Sequence, residues 1–112
     1  MSFITNSVDF MAKIDYISTN NGGRKSFAVS GYRPQIKFPF SEMMTTGEQS
    51  FIGQESVEPG QTVNANIKLL SPDFYKNKLE VGMSFKVVEG KQIVANGILI
   101  KIFNEDLLRN NN

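Results

Sequence analysis

The chain has 112 residues, with 12 Lys and Arg against 11 Asp and Glu and a formal net charge of +1. That length holds one hydrophobic core and one domain, and the balanced charge excludes a global pull on nucleic acid, so any RNA-binding surface has to be a local patch. The absence of cysteine and histidine excludes disulfides, thiolate nucleophiles, Cys- or His-based metal sites and the commonest general base.

Residues 1–7 lack the cationic start and apolar core of a secretory signal. No apolar run approaches the ~20 residues that a membrane span needs. The chain reads as soluble and cytoplasmic, without membrane attachment. From residue 9 to 17, Phe10, Ala12, Ile14 and Tyr16 alternate with Met11, Lys13, Asp15 and Ile17, the period-2 pattern of a half-buried strand. Asp9 and Asp15 fall on its solvated face. Residues 18–23 form a turn in which Gly22 and Gly23 can take positive φ. A short apolar run at Phe27, Ala28 and Val29 leads to a second corner at Gly31, where Pro34 holds Arg33 extended.

Ile36, Phe38 and Phe40 then alternate with Gln35, Lys37 and Pro39, predicting a strand whose far end Pro39 confines to an edge. Residues 41–59 are the least regular, with a short strand expected at Phe51 and Ile52. A Pro-Gly turn at Pro59 and Gly60 precedes the cleanest strand, 62–70, where Val63, Ala65, Ile67 and Leu69 share a face. Phe74 and Tyr75, beside Lys76 and Lys78, lie in a turn or a single helical turn, as a binding edge or as a buried loop anchor. Met83, Phe85 and Val87 mark another strand, joined by a hairpin at residues 89–92 to a long last strand, 93–103. In that strand Gly97 predicts a bulge or a tight bend. No segment shows a 3.6-residue period. Six to eight short strands separated by turns predict an all-β, antiparallel, closed architecture, with a core over residues 9–103 and a frayed tail over 104–112.

Two motifs, Gly22-Gly23-Arg24 and, after six residues, Gly31-Tyr32-Arg33-Pro34-Gln35, make the chain resemble the C-terminal β-barrel domain of translation elongation factor Tu. The likeness continues through the opening strand, the Pro59-Gly60 turn, Leu70-Ser71-Pro72, Gly82-Met83-Ser84-Phe85, Glu89-Gly90, and Val94 with Gly97. It covers residues 9–103, with a small insertion between Gln35 and Gly47. It implies a six- to seven-stranded antiparallel Greek-key β-barrel. Full-length members of the family precede this barrel with a GTPase domain and a second barrel, so the expectation here is a barrel standing alone. The stretch from Gly22 to Ser26 lacks the Gly-x-x-x-x-Gly-Lys-Ser/Thr spacing that cradles phosphates, so no GTP chemistry is expected.

In the family this barrel helps to hold the T-stem backbone of aminoacyl-tRNA. The resemblance places that role on Arg24, on Lys25 (where the family has His), on Gln35, Thr46 and Gly90, with Lys91 as a further cation beside Gly90. Ser71 stands where the family often has Lys, and Gln92 where it has Arg. The same Gly-Gly-Arg and Gly-Tyr-Arg-Pro-Gln residues also suit a purely structural role in the turns, with Arg33 pinning a loop through backbone carbonyls. No Ser has a candidate base and no carboxylates are spaced for a metal, so the expectation is no catalysis, no metal and no cofactor. The expected function is a non-enzymatic binding module whose partner is tRNA or a translation-machinery protein. The alternative is a protein-interaction domain outside translation, a decoy or immunity-type protein using exposed strand edges. The sequence leaves the oligomeric state open.

Overall fold

Alternating side chains build the wall of a barrel. The computed structural model describes residues 8–109; the N-terminal segment 1–7 and the last three asparagines, 110–112, lie outside the described residues. The strands are β1 (Phe10–Tyr16), β2 (Ala28–Val29), β3 (Gln35–Lys37), β4 (Met44–Phe51), β5 (Ser56–Val57), β6 (Thr62–Leu69), β7 (Ser84–Glu89) and β8 (Gln92–Ile102). Six of them close into an antiparallel barrel in the order β1-β6-β4-β3-β7-β8, with β8 returning to β1. β3, β4 and β6 run as successive neighbours and β1 lies beside β6, which is Greek-key order. β2 and β5 form a separate two-stranded ribbon.

The expected inward faces hold. Phe10, Ala12, Ile14 and Tyr16 of β1 and Val63, Ala65, Ile67 and Leu69 of β6 are all buried. Phe10, Phe38 and Phe85 meet as a three-ring cluster with centroids 5.8 to 6.2 Å apart, and each such pair adds about 0.5–1.5 kcal/mol to the burial of its area. β3 ends at Lys37, ahead of Pro39, so Phe40 stacks on Phe38 outside the barrel wall.

Four expectations need correction. The irregular stretch contains an eight-residue strand, β4, because its inward positions are Thr45, Gly47, Gln49 and Phe51. Polar and small side chains there carry no apolar alternation to read. Gly97 is not a bulge: it is in register with Phe85 and Ile14, and a Cβ on it would sit 2.2 Å from the Phe85 ring. The glycine makes room for that ring. The register shifts of β8 fall on either side of Gly97, at Val94 and Ile100, and the first brings both Val94 and Ala95 inside. Asp9 is buried rather than solvated. Finally, residues 104–109 of the expected tail fold back: Glu105–Leu107 form a 3-10 turn, Leu107 is buried and Leu108 bridges to Leu79.

A closed barrel has no strand edges. The free edges belong to the two-residue strands β2 and β5. Phe74 and Tyr75 divide the two roles open to them: Tyr75 is buried against Phe38, whereas Phe74 faces solvent.

Candidate partner-binding site

The loop after β1 turns sharply because its glycines permit it. Thr19–Asn21 form a single 3-10 turn, closed by Gly22 at φ 97°. Gly23 differs from the expectation of positive φ: its requirement is space, since an added Cβ would lie 1.8 Å from the Ile17 carbonyl oxygen. Its N–H donates to the Ser18 carbonyl at 2.8 Å. The chain thus leaves the turn with Arg24 directed back over the end of the barrel.

Arg24 is heavily engaged there. Its Nε donates to the Ser26 carbonyl and its Nη2 to the Phe27 carbonyl, both at 3.2 Å. Its Nη1 reaches Glu89 Oε2 at 2.8 Å, and its guanidinium carbon lies 4.6 Å from the centre of the Tyr32 ring. Partial burial opposes the charge, but Tyr32 and Glu89 outweigh it and move the Arg24 pKa up. With its side chain 17% exposed, Arg24 is a fastener of the loop. This is the task foreseen for Arg33, which instead is 70% exposed and approaches Glu48 at 3.4 Å.

Beneath Arg24, Tyr16 Oη donates to Gln49 Oε1 at 2.7 Å in a fully buried pair, and the Tyr16 and Tyr32 rings lie 6.5 Å apart. Burial pushes both phenols upward.

A second tie runs to the same hairpin. Gln92 Nε2 donates to the carbonyls of Gly22 and Gly23. Gln92 thus joins the loop to β8, while Glu89 joins it to β7. Between them Gly90 and Lys91 form a two-residue hairpin connection, with Gly90 at φ 64°, in keeping with a II′ turn. The sequence marked Glu89 and Gln92 as parts of the resemblance but gave neither a role in holding the loop. Their flanking of the hairpin glycine is the signal that points to them.

The remaining candidates follow by strand pairing. Gln35 of β3 pairs with Val88 of β7 on one side and with Thr46 of β4 on the other. Both Gln35 and Thr46 are half-buried. Thr46, Gln35, the β7–β8 hairpin with Gly90 and Lys91, and the loop with Arg24 and Lys25 therefore form one path of adjacent positions. Lys25 and Lys91 are exposed and enter no ion pair among the described residues. The path offers two free ammonium groups, a hairpin backbone and two neutral hydrogen-bonding side chains, a set suited to phosphate oxygens. Among the described residues no helix is long and apolar enough to cross a membrane.

Compared with known families, residues 3–103 match the family described as "Elongation factor Tu C-terminal domain". The closed six-stranded barrel agrees with that match, which takes in nearly the whole chain: this protein belongs to the elongation factor Tu C-terminal domain family.

Proposed function

We propose that the barrel is a non-enzymatic binding module of the translation apparatus whose partner is the backbone of a tRNA. Lys25 and Lys91 supply charge, Gly90 supplies backbone, and Gln35 and Thr46 supply hydrogen bonds. Arg24 sets the position of Lys25 and makes no partner contact of its own. One observation carries this reading: two exposed ammonium groups without carboxylate partners sit on a loop and a hairpin stapled to each other by Arg24–Glu89 and by Gln92. No GTP, metal or other cofactor takes part.

Fluorescence anisotropy of a labelled tRNA against salt concentration tests it. Each neutralised phosphate contributes about 0.7 to 0.9 to the slope of log affinity against log salt. The double reversal Lys25→Glu, Lys91→Glu should weaken binding at least tenfold and flatten that slope by ~2. An unchanged slope and affinity would rule the reading out.

A second reading, a protein that docks on the barrel inside or outside translation, draws on Leu70, Phe74 and Val81. These are 74, 61 and 59% exposed, at the end where β6 stops and β7 begins. Binding to such a surface survives high salt and is lost on Phe74→Ser.

A further inference from the structure

Cross-strand neighbours on an antiparallel sheet share a face, with Cβ atoms about 5 Å apart, and like charges placed directly opposite destabilise it. Lys37 of β3 and Lys86 of β7 are such a pair. Both point outward, since their chain neighbours Ile36, Phe38, Phe85 and Val87 are buried. The barrel does little to relieve the repulsion. Lys37 Nζ lies 3.8 Å from Glu42 Oε2, but the Glu42 side chain is 97% exposed, so water screens that attraction. Lys86 Nζ donates to Asn96 Oδ1 at 2.8 Å, which orients the ammonium group without neutralising it. The next carboxylate in the same row, Asp15, pairs across from Asn96 and accepts a hydrogen bond from Thr62 at 2.5 Å. Two ammonium groups are thus held side by side, one of them aimed by a neutral amide.

The pair continues the path described above. Lys37 is two residues from Gln35 on the same face of β3, about 7 Å along the strand, and Lys86 lies two residues before Val88, the cross-strand neighbour of Gln35. We propose that Lys37 and Lys86 form an anion-binding pair that takes a phosphate group of the RNA backbone, extending the contact surface from the hairpin down the outer wall of β3 and β7. This rests on the RNA reading for its ligand, while the anion site itself stands on the pairing of the two lysines. Lysine suits the task as a compact point charge, and a phosphate between the two turns their repulsion into shared attraction.

The test has two arms. In the first, inorganic pyrophosphate is titrated into carbon-13-labelled protein while the lysine Cε resonances are followed, and the melting midpoint of Lys86→Gln is measured. The expected result is saturable shifts at Lys37 and Lys86, absent at Lys76, and a midpoint raised by about 1–4 °C as the repulsion is removed. No shift at either lysine, or shifts no larger than at Lys76, overturns the proposal. In the second arm a labelled RNA stem-loop is bound by the wild type, by Lys37→Gln/Lys86→Gln, and by Lys76→Gln as control. The double variant should bind ~5- to 20-fold more weakly with a salt slope smaller by about 1 to 2. A double variant that binds like the wild type overturns the proposal and leaves the RNA reading intact. A wild type that shows no RNA binding at low salt, while pyrophosphate still shifts both lysines, overturns the RNA reading and leaves the anion site. Tighter, Lys37- and Lys86-dependent binding of poly-glutamate than of RNA overturns phosphate as the ligand.

Discussion

Each end of the barrel is fastened by one charged side chain, and the two fastenings differ in what surrounds them. At the end where the chain enters, Asp9 is 5% exposed and its carboxylate accepts from the Leu69 N–H at 2.7 Å and from Asn104 Nδ2 at 2.9 Å. Its own N–H donates to Ile67, and its carbonyl accepts from Phe103 and Asn104. At the other end Arg24 gathers two carbonyls, the Tyr32 ring and Glu89, whose side chain is 47% exposed. A buried carboxylate satisfied by one backbone N–H and one side-chain amide locks three segments distant in sequence. A largely buried arginine paired with a half-exposed glutamate orders a loop and leaves the residues beside it available. The first arrangement serves stability. The second keeps Lys25, Gly90 and Lys91 at the surface in a fixed relation.

The sharpest way to break this contrast is at the closed end. Asp9→Ala leaves the Leu69 N–H buried without an acceptor and frees Asn104, at about 1–3 kcal/mol for each buried donor, so the loss should be about 3 kcal/mol. That is a large share of the ~5–15 kcal/mol of a typical domain. The urea midpoint should fall at unchanged slope, and Asp9→Asn, which keeps one acceptor, should recover part of the loss. RNA affinity, measured where the variant is folded, should stay at the wild-type value.

A smaller effect, with a pH signature, belongs to the layer under Arg24. Tyr16→Phe strands the buried Gln49 Oε1 and should cost about 1–2 kcal/mol near neutral pH. The phenol of an unfolded chain titrates near 10.0, and burial raises it in the folded protein. Tyr16 therefore contributes its full stabilisation below pH 10, and this is lost as the pH climbs from 10 toward the raised folded value. Urea midpoints of the two proteins should differ most at pH 8 and converge by pH 11. A gap that stays constant would show that the hydroxyl is not held in its protonated form by the fold.

The two ends were unequally legible in the sequence for a physical reason. β1 and β6 alternate apolar with polar residues, so their burial could be read directly. β4 turns Thr45, Gly47 and Gln49 inward, and Gln49 is acceptable there because Tyr16, 33 residues earlier, donates to it. No local pattern carries that information. Asp9 looked solvated for the same reason, since its partners Leu69 and Asn104 are 60 and 95 residues away. At the candidate site, the turn glycines and cations were visible, but the partition of labour was not. Arg24 and Lys25 are adjacent and equally charged, and it is the convergence of the Ser26 and Phe27 carbonyls, the Tyr32 ring and Glu89, 65 residues later, on Arg24 that makes one a fastener and leaves the other free.

That partition sets the smallest expected effect on stability and the most informative one on function. Arg24→Lys keeps the unit charge but not the planar fork, so one ammonium group cannot reach the Ser26 and Phe27 carbonyls, the Tyr32 face and Glu89 together. Discounted for the exposure of Glu89, the loss in stability should be about 1 kcal/mol. If Arg24 met a phosphate through charge alone, the lysine would bind RNA as well as the wild type. If it acts by setting the loop, Lys25 loses its fixed distance from Gly90 and Lys91. RNA affinity then falls ~3- to 10-fold although the net charge is unchanged, while the salt slope, which counts neutralised phosphates, stays within about 0.3 of its wild-type value. Glu89→Gln, which weakens the same tie from the hairpin side and makes the surface more positive, should also lower affinity, against the trend that charge alone dictates.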